Sequence, residues 1–214
     1  MLKLMILLIT YGGGFGGFGV YMSNNNFSSI NTILNRHGIQ SLKGTQYGWG
    51  GLGYGIIGKI WIGGGGFGTT QQVSSDSMDI IVNEGAGFFE IGYMVVETHR
   101  FLGAISLGLG GSGVRMTIYP VNREISFDSL LTNPRRDAYV EIGSYISIMP
   151  SFNAILRLNR FIGILLRASY IVSPSSSWRF DDGDRVLNAP NFKLSHPVLS
   201  LNVIFGGMAS AKSK

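Results

Sequence analysis

The stretch that decides the fold is Phe89-Glu90-Ile91-Gly92-Tyr93-Met94-Val95-Val96-Glu97-Thr98-His99-Arg100-Phe101-Leu102-Gly103-Ala104-Ile105-Ser106-Leu107-Gly108-Leu109. Folded back at Thr98, His99 and Arg100, it sets Phe89, Ile91 and Tyr93 opposite Leu109, Leu107 and Ile105. The same turn sets Glu90, Gly92 and Met94 opposite Gly108, Ser106 and Ala104. Side chains alternate across a strand, so residues that pair share a face. One face of this hairpin is therefore large and apolar, and the other is small or polar and carries a carboxylate.

The same pattern recurs on both sides. With Asn159, Arg160 and Phe161 as a turn, Leu158, Leu156, Ala154 and Phe152 face Ile162, Ile164, Leu166 and Ala168, while Arg157, Ile155 and Asn153 face Gly163, Leu165 and Arg167. Leu52, Tyr54 and Ile56 alternate with Gly51, Gly53 and Gly55, and Leu199, Leu201, Val203 and Phe205 flank Ser200 and Asn202. Each tight reversal carries a basic residue leading into apolar ones, as in Lys59-Ile60-Trp61, Arg100-Phe101-Leu102 and Arg160-Phe161-Ile162. Three hairpins and a strand at each end predict strands at roughly 12–22, 46–58, 60–69, 79–97, 101–118, 138–158, 162–172 and 198–207. The connections at the opposite end, Ser23–Gln46, Thr69–Met78, Tyr119–Asp137 and Ser173–Pro197, are long and polar. Short turns at one end and long loops at the other predict an all-β fold, an antiparallel up-and-down β-barrel of about eight strands, as one domain over residues 1–214. Phe27, Ile30, Ile33 and Leu34 recur at helical spacing, with Asn26 or Ser28 as a cap and Gly38 as a stop, so the first long loop holds one short helix that covers a barrel end.

The apolar face carries no charge in these windows, as lipid demands; a soluble ligand carrier would place its charges outside and its apolar side chains within. The strands at 79–97, 101–118 and 138–158 exceed the ~5–6 residues usual in globular sheets and are long enough to cross a ~25 Å apolar band while tilted. No helix competes for this role, because the longest apolar run, Leu4–Ile9, is far below the ~20 residues a spanning helix needs. Residues 1–10 read as the start of strand one, or as the remnant of a secretory signal. The 32 glycines suit strong barrel curvature and close approach of bulky neighbours. Pro150 predicts a bulge or a break in the sixth strand, and Gly12–Met22 does not choose a face cleanly.

An eight-stranded barrel is just wide enough for side chains to fill it. The inward polar residues Glu90, Glu141, Arg157, Arg167 and Asn202 are accordingly expected to form a paired structural network and not a transport path. Other motifs carry less. Gly14-Phe15-Gly16-Gly17-Phe18-Gly19 has dinucleotide-loop spacing, but no helix follows it. Asp181, Asp182 and Asp184 around Gly183 are weak candidates for a hard cation, since the calcium-loop spacing is missing and a solvated turn accounts for them. Trp178 and Arg179 beside them are candidates for a contact surface in the last loop. His37, His99 and His196 have no ligand spacing, and no activated-nucleophile signature is present, so neither an enzyme nor a cofactor is expected. The net charge of +5 comes without a basic run, which argues against nucleic acid. Cysteine is absent, excluding a disulfide scaffold and thiol chemistry.

In layout the chain resembles the small eight-stranded outer-membrane barrels of diderm bacteria over Gly12–Gly207, and its Leu199-Leu201-Val203-Phe205 alternation resembles their last strand. It departs from them by continuing past Phe205 to Lys214. The resemblance implies an outer-membrane or cell-envelope location, membrane lipid as solvent, and a structural or surface-interaction role for the long loops. Their partners would be envelope proteins, surface material or further copies of the chain. The alternative is a secreted or soluble glycine-rich β protein that self-assembles into an oligomer, sheath or filament. A lipid-modifying barrel would need catalytic groups clustered at one rim, which the sequence does not supply.

Overall fold

The computed structural model describes residues 12–120, 138–174 and 177–207. Its strands are β1 (Gly12–Asn24), β2 (Thr45–Ile57), β3 (Ile60–Ser74), β4 (Met78–Glu97), β5 (Phe101–Pro120), β6 (Ala138–Arg157), β7 (Ile162–Ile171), β8 (Arg179–Phe180) and β9 (His196–Gly207), with one helix, α1 (Ser28–Arg36). Neighbours run antiparallel in the order β5-β4-β3-β2-β1-β9-β7-β6-β8, and β5 also pairs with β6, which closes the sheet. β8 is the continuation of β7. The pairs Val140–Phe180 and Glu141–Arg179 keep the register of Ser151–Ser169 and Ile148–Val172, so the chain leaves the wall after Val172 and returns in step. Counted this way, the barrel has eight staves.

The hairpin registers read from the sequence are those of the structure, from Phe89–Leu109 to Met94–Ala104 and from Phe152–Ala168 to Arg157–Gly163. The segment Thr69–Met78 is different. Expected as a long loop, it is mostly strand, because β3 runs to Ser74 and β4 begins at Met78. The turn between them is held by the Ser75 N–H donating to the Met78 carbonyl at 2.8 Å. The outward residues Thr70, Gln72 and Ser74 are polar because this part of the sheet stands in water. β4, β5 and β6 have 20 residues each, about 66 Å of extended chain. Tilted by ~40°, that is roughly twice the ~25 Å apolar band.

Two irregularities re-aim the sixth strand. Gly110 pairs with Ser147 but Ser112 pairs with Ser144, so β6 carries one extra residue, and every side chain beyond it moves to the opposite face. Pro150 keeps its pairing with Leu107 of β5, while the ladder to β7 stops at Ser151 and resumes as a single bridge at Ile148; an imino acid has no N–H to give on that side. β1 does choose a face. Phe15, Tyr21 and Ser23 are buried, and Phe18 and Val20 are exposed.

The interior is layered, and β4 samples every layer. From the short-turn end its inward residues are Met94, Gly92, Glu90, Phe88, Ala86, Glu84, Val82 and Ile80. Met94 belongs to an apolar layer with Phe15, Trp61, Leu102, Ile155, Leu165 and Ile204. Phe88 belongs to a second with Tyr21, Phe67, Met149, Ile171 and Val198. Glu90 and Glu84 each centre a polar layer between or above these. Gly92 is required by packing, since a Cβ there would overlap the indole nitrogen of the fully buried Trp61.

Candidate functional site

The lower polar layer is built on one ion pair. Arg167 of β7 donates from Nη2 to Glu90 Oε2 of β4 at 2.5 Å and to Ser151 Oγ at 2.9 Å, from Nη1 to the Tyr54 hydroxyl at 2.9 Å, and from Nε to Ser169 Oγ at 3.0 Å. Ser106 also donates to Glu90 at 3.2 Å and receives Asn153 at 3.0 Å. A buried charge is tolerable when it is paired and its hydrogen bonds are met, and four strands supply the partners of Arg167, while Glu90 takes its bonds on Oε2 alone. Asn202 is fully buried and donates to Ser200 Oγ at 2.9 Å. Arg157 lies apart at the short-turn end, 3.3 Å from Glu97.

Glu141, expected inside, is a correction. The extra residue in β6 turns it to the outer wall, where it receives Arg115 Nη2 at 2.9 Å.

The upper polar layer escaped the sequence reading. Glu84 Oε2 accepts from Ser23 at 2.5 Å, Asn25 at 2.9 Å and Thr69 at 3.3 Å, while Oε1 lies 2.6 Å from His196 Nε2. His196 Nδ1 contacts the Leu194 carbonyl at 2.8 Å. That carbonyl can only accept, so Nδ1 carries a hydrogen and Nε2 faces the Glu84 carboxylate. The contact ties the start of β9 to β4 across the barrel interior. Parity could have found it. Glu84 shares the inward face of β4 with Glu90, as His196 shares that of β9 with Ser200 and Asn202.

Above this layer an apolar plug caps the barrel. Ile30 and Leu34 of α1, with Phe27, Ile39 and Leu42, meet Trp178, Phe192 and Leu194 from the last loop, over Val73, Ile80, Val82, Val114 and Ile142 of the wall. The chain after α1 turns at Gly38, whose φ of +71° suits glycine. Trp178, expected as an exposed contact, is only 4% exposed and donates to the Pro190 carbonyl at 2.9 Å. Arg179 is exposed and donates to the Gly183 carbonyl. Asp182 accepts the Asp184 N–H in an exposed turn and Asp181 lies 3.9 Å from Arg115; no metal-binding group of three side chains occurs among the described residues.

Two features mark the outer surface. An uncharged belt girdles the wall, with Phe152 72% and Leu109 59% exposed, an arrangement that only lipid makes favourable. Higher on the wall, a groove of about 970 Å³ has Gly85, Gly87, Gly113 and Gly143 as its floor and Asn83, Arg115, Glu141 and Arg179 at its rim.

Charge is divided unevenly between the ends. Among the described residues of the loop end, Arg36, Lys43, Arg115, Arg179, Arg185 and Lys193 are balanced by Asp76, Asp79, Glu141, Asp181, Asp182 and Asp184. At the short-turn end Lys59, Arg100 and Arg160 are exposed in the three turns, and the local carboxylate, Glu97, is already paired with Arg157.

No family model and no curated sequence matches the chain. Among solved structures it is similar to Ail, the attachment invasion locus protein of Yersinia pestis, with a TM-score of 0.54 and 10% identity, covering 91% of this chain and 98% of that one. The complex of Ail with the heparin analogue sucrose octasulfate is similar at a TM-score of 0.53, with 10% identity and the same coverage, 91% of this chain and 98% of that one. The outer membrane protein OprG from Pseudomonas aeruginosa matches at 0.46 with 11% identity over 92% of this chain and 97% of that one. The closed antiparallel wall, the uncharged belt and the likeness to Ail make this chain, in fold, an eight-stranded barrel of the outer-membrane type.

Proposed function

We propose that the protein is a non-enzymatic outer-membrane barrel whose long loops form a preorganised contact surface. The observation that carries this reading is the plug: among the described residues, α1 and the 177–194 segment pack into one apolar cluster over the filled barrel, which argues against a path for a solute and supports a loop surface held in place. Preorganised loops lose less entropy when they meet a partner. Ail is by name an attachment and invasion protein of its own bacterium, and a surface-contact role on this fold is in keeping with that. Among the described residues the loop end is charge-balanced, which suits a neutral or mixed-charge partner and not a polyanion. The self-assembling alternative loses its simplest route, because β1 pairs with β9 and β5 with β6, which closes the sheet on itself.

The test compares cells carrying the chain with cells lacking it, for aggregation and for binding of envelope fractions, with liposome swelling as the transport control. Contact activity is expected to disappear when the exposed Asp181–Leu187 tip is replaced by a Gly-Ser segment, with the unheated, fast-migrating gel band retained. Solute flux through the barrel, or contact unchanged by that replacement, would overturn the reading.

A further inference from the structure

The three turns repeat one chemistry that nothing inside the fold uses. Lys59 precedes Ile60, Arg100 precedes Phe101 and Arg160 precedes Phe161, and these apolar neighbours are 45%, 41% and 68% exposed, the first two on the outer wall and Phe161 in the turn itself. No ion pair among the described residues reaches Lys59, Arg100 or Arg160. The loop end is neutral by comparison, so the uncompensated positive charge of the described surface is concentrated at the short-turn end.

We propose that this cationic collar binds the phosphate groups of anionic phospholipids in the leaflet at the short-turn end. The proposal rests on the membrane-barrel reading. Charge complementarity selects the occupant: three unpaired cations face whatever lies at that end. The shortness of the turns sets the depth. Each cation follows the apolar belt by one or two residues, so it cannot extend far beyond a headgroup layer of roughly 5–7 Å. Ile60 and Phe101 fix the level from below and Phe161 stands in its turn beside Arg160, as aromatic and aliphatic residues do at a bilayer interface, and the basic side chains reach up to the phosphates with their stems on apolar surface. A polyanion of the periplasm would favour cations on longer, more exposed arms.

The test uses the full chain refolded into phosphatidylcholine vesicles, with trace spin-labelled phosphatidylglycerol or phosphatidylcholine reporting lipid held at the protein surface. The fast-migrating band and a motionally restricted lipid fraction are read first. If both are missing, the barrel reading itself fails. With both present, phosphatidylglycerol is expected to associate about fivefold more strongly than phosphatidylcholine at low salt, a preference screened away at ~0.5 M NaCl. The triple substitution Lys59→Gln, Arg100→Gln and Arg160→Gln should remove the preference and keep the band, and the three single substitutions, which perturb insertion less, should lower it stepwise. Equal association of the two lipids, or a preference that survives the triple substitution, would overturn the collar. So would binding of soluble anionic sacculus fragments without a lipid preference, which would assign these cations to a polymer.

Discussion

Substituting Glu90→Gln tests the interior most directly. Glu90 and Arg167 have side chains only 1% and 5% exposed, and among the described residues no other carboxylate lies within ion-pair distance of the guanidinium. The substitution keeps the shape of the side chain and its hydrogen bond from Ser106, yet leaves a buried cation with only neutral partners, Tyr54, Ser151 and Ser169. Breaking such a pair from one side costs roughly 3–5 kcal/mol, about a thousandfold in the unfolding equilibrium. Replacing both members by apolar residues, Glu90→Leu with Arg167→Met, removes the charge altogether. What remains is loss of partners for Ser106, Tyr54 and the serines, roughly 1–3 kcal/mol offset by added apolar packing. The double variant should therefore be more stable than Glu90→Gln alone. Urea unfolding in lipid vesicles, followed by tryptophan fluorescence and by loss of the fast-migrating band, measures both. A single substitution costing under about 1 kcal/mol, or a double variant no more stable than Glu90→Gln, would refute the buried-pair account.

Three further outcomes follow from the geometry. Gly92→Ala should cost about 1–3 kcal/mol in the same urea titration, because the Trp61 indole must leave its seat, while Gly87→Ala, where a Cβ would meet nothing, should stay within ~0.5 kcal/mol. Leu34→Asp should loosen the plug without opening the barrel. Limited proteolysis would then cut within 25–44 or 177–195 at least tenfold faster while the fast-migrating band persists; unchanged cleavage would mean that α1 is not held by this packing. Glu84→Gln should raise hydrogen exchange at both Asn25 and His196, since one carboxylate holds both, and exchange that rises at only one of them would show that the two loops are anchored separately.

The sequence by itself determined the number of staves, the registers of the second and third hairpins and the faces of the strands that form them up to the bulge, because a period of two and a tight turn are local properties that a reader can count; the face of β1 it left open. It also placed Glu90, Arg167 and Asn202 inside, since parity carries from a turn along an unbroken strand. What parity cannot carry is a residue past a bulge. One extra residue between Ser144 and Ser147 was enough to move Glu141 from the interior to the outer wall. Nor could the sequence say where lipid ends, so the polar top of β3 read as loop. The partners of Arg167, the Glu84–His196 clamp and the burial of Trp178 were decided by tertiary structure alone. These contacts join strands and loops that meet only when β1 closes on β9 and β5 on β6, and their geometry comes from that closure, not from any spacing along the chain.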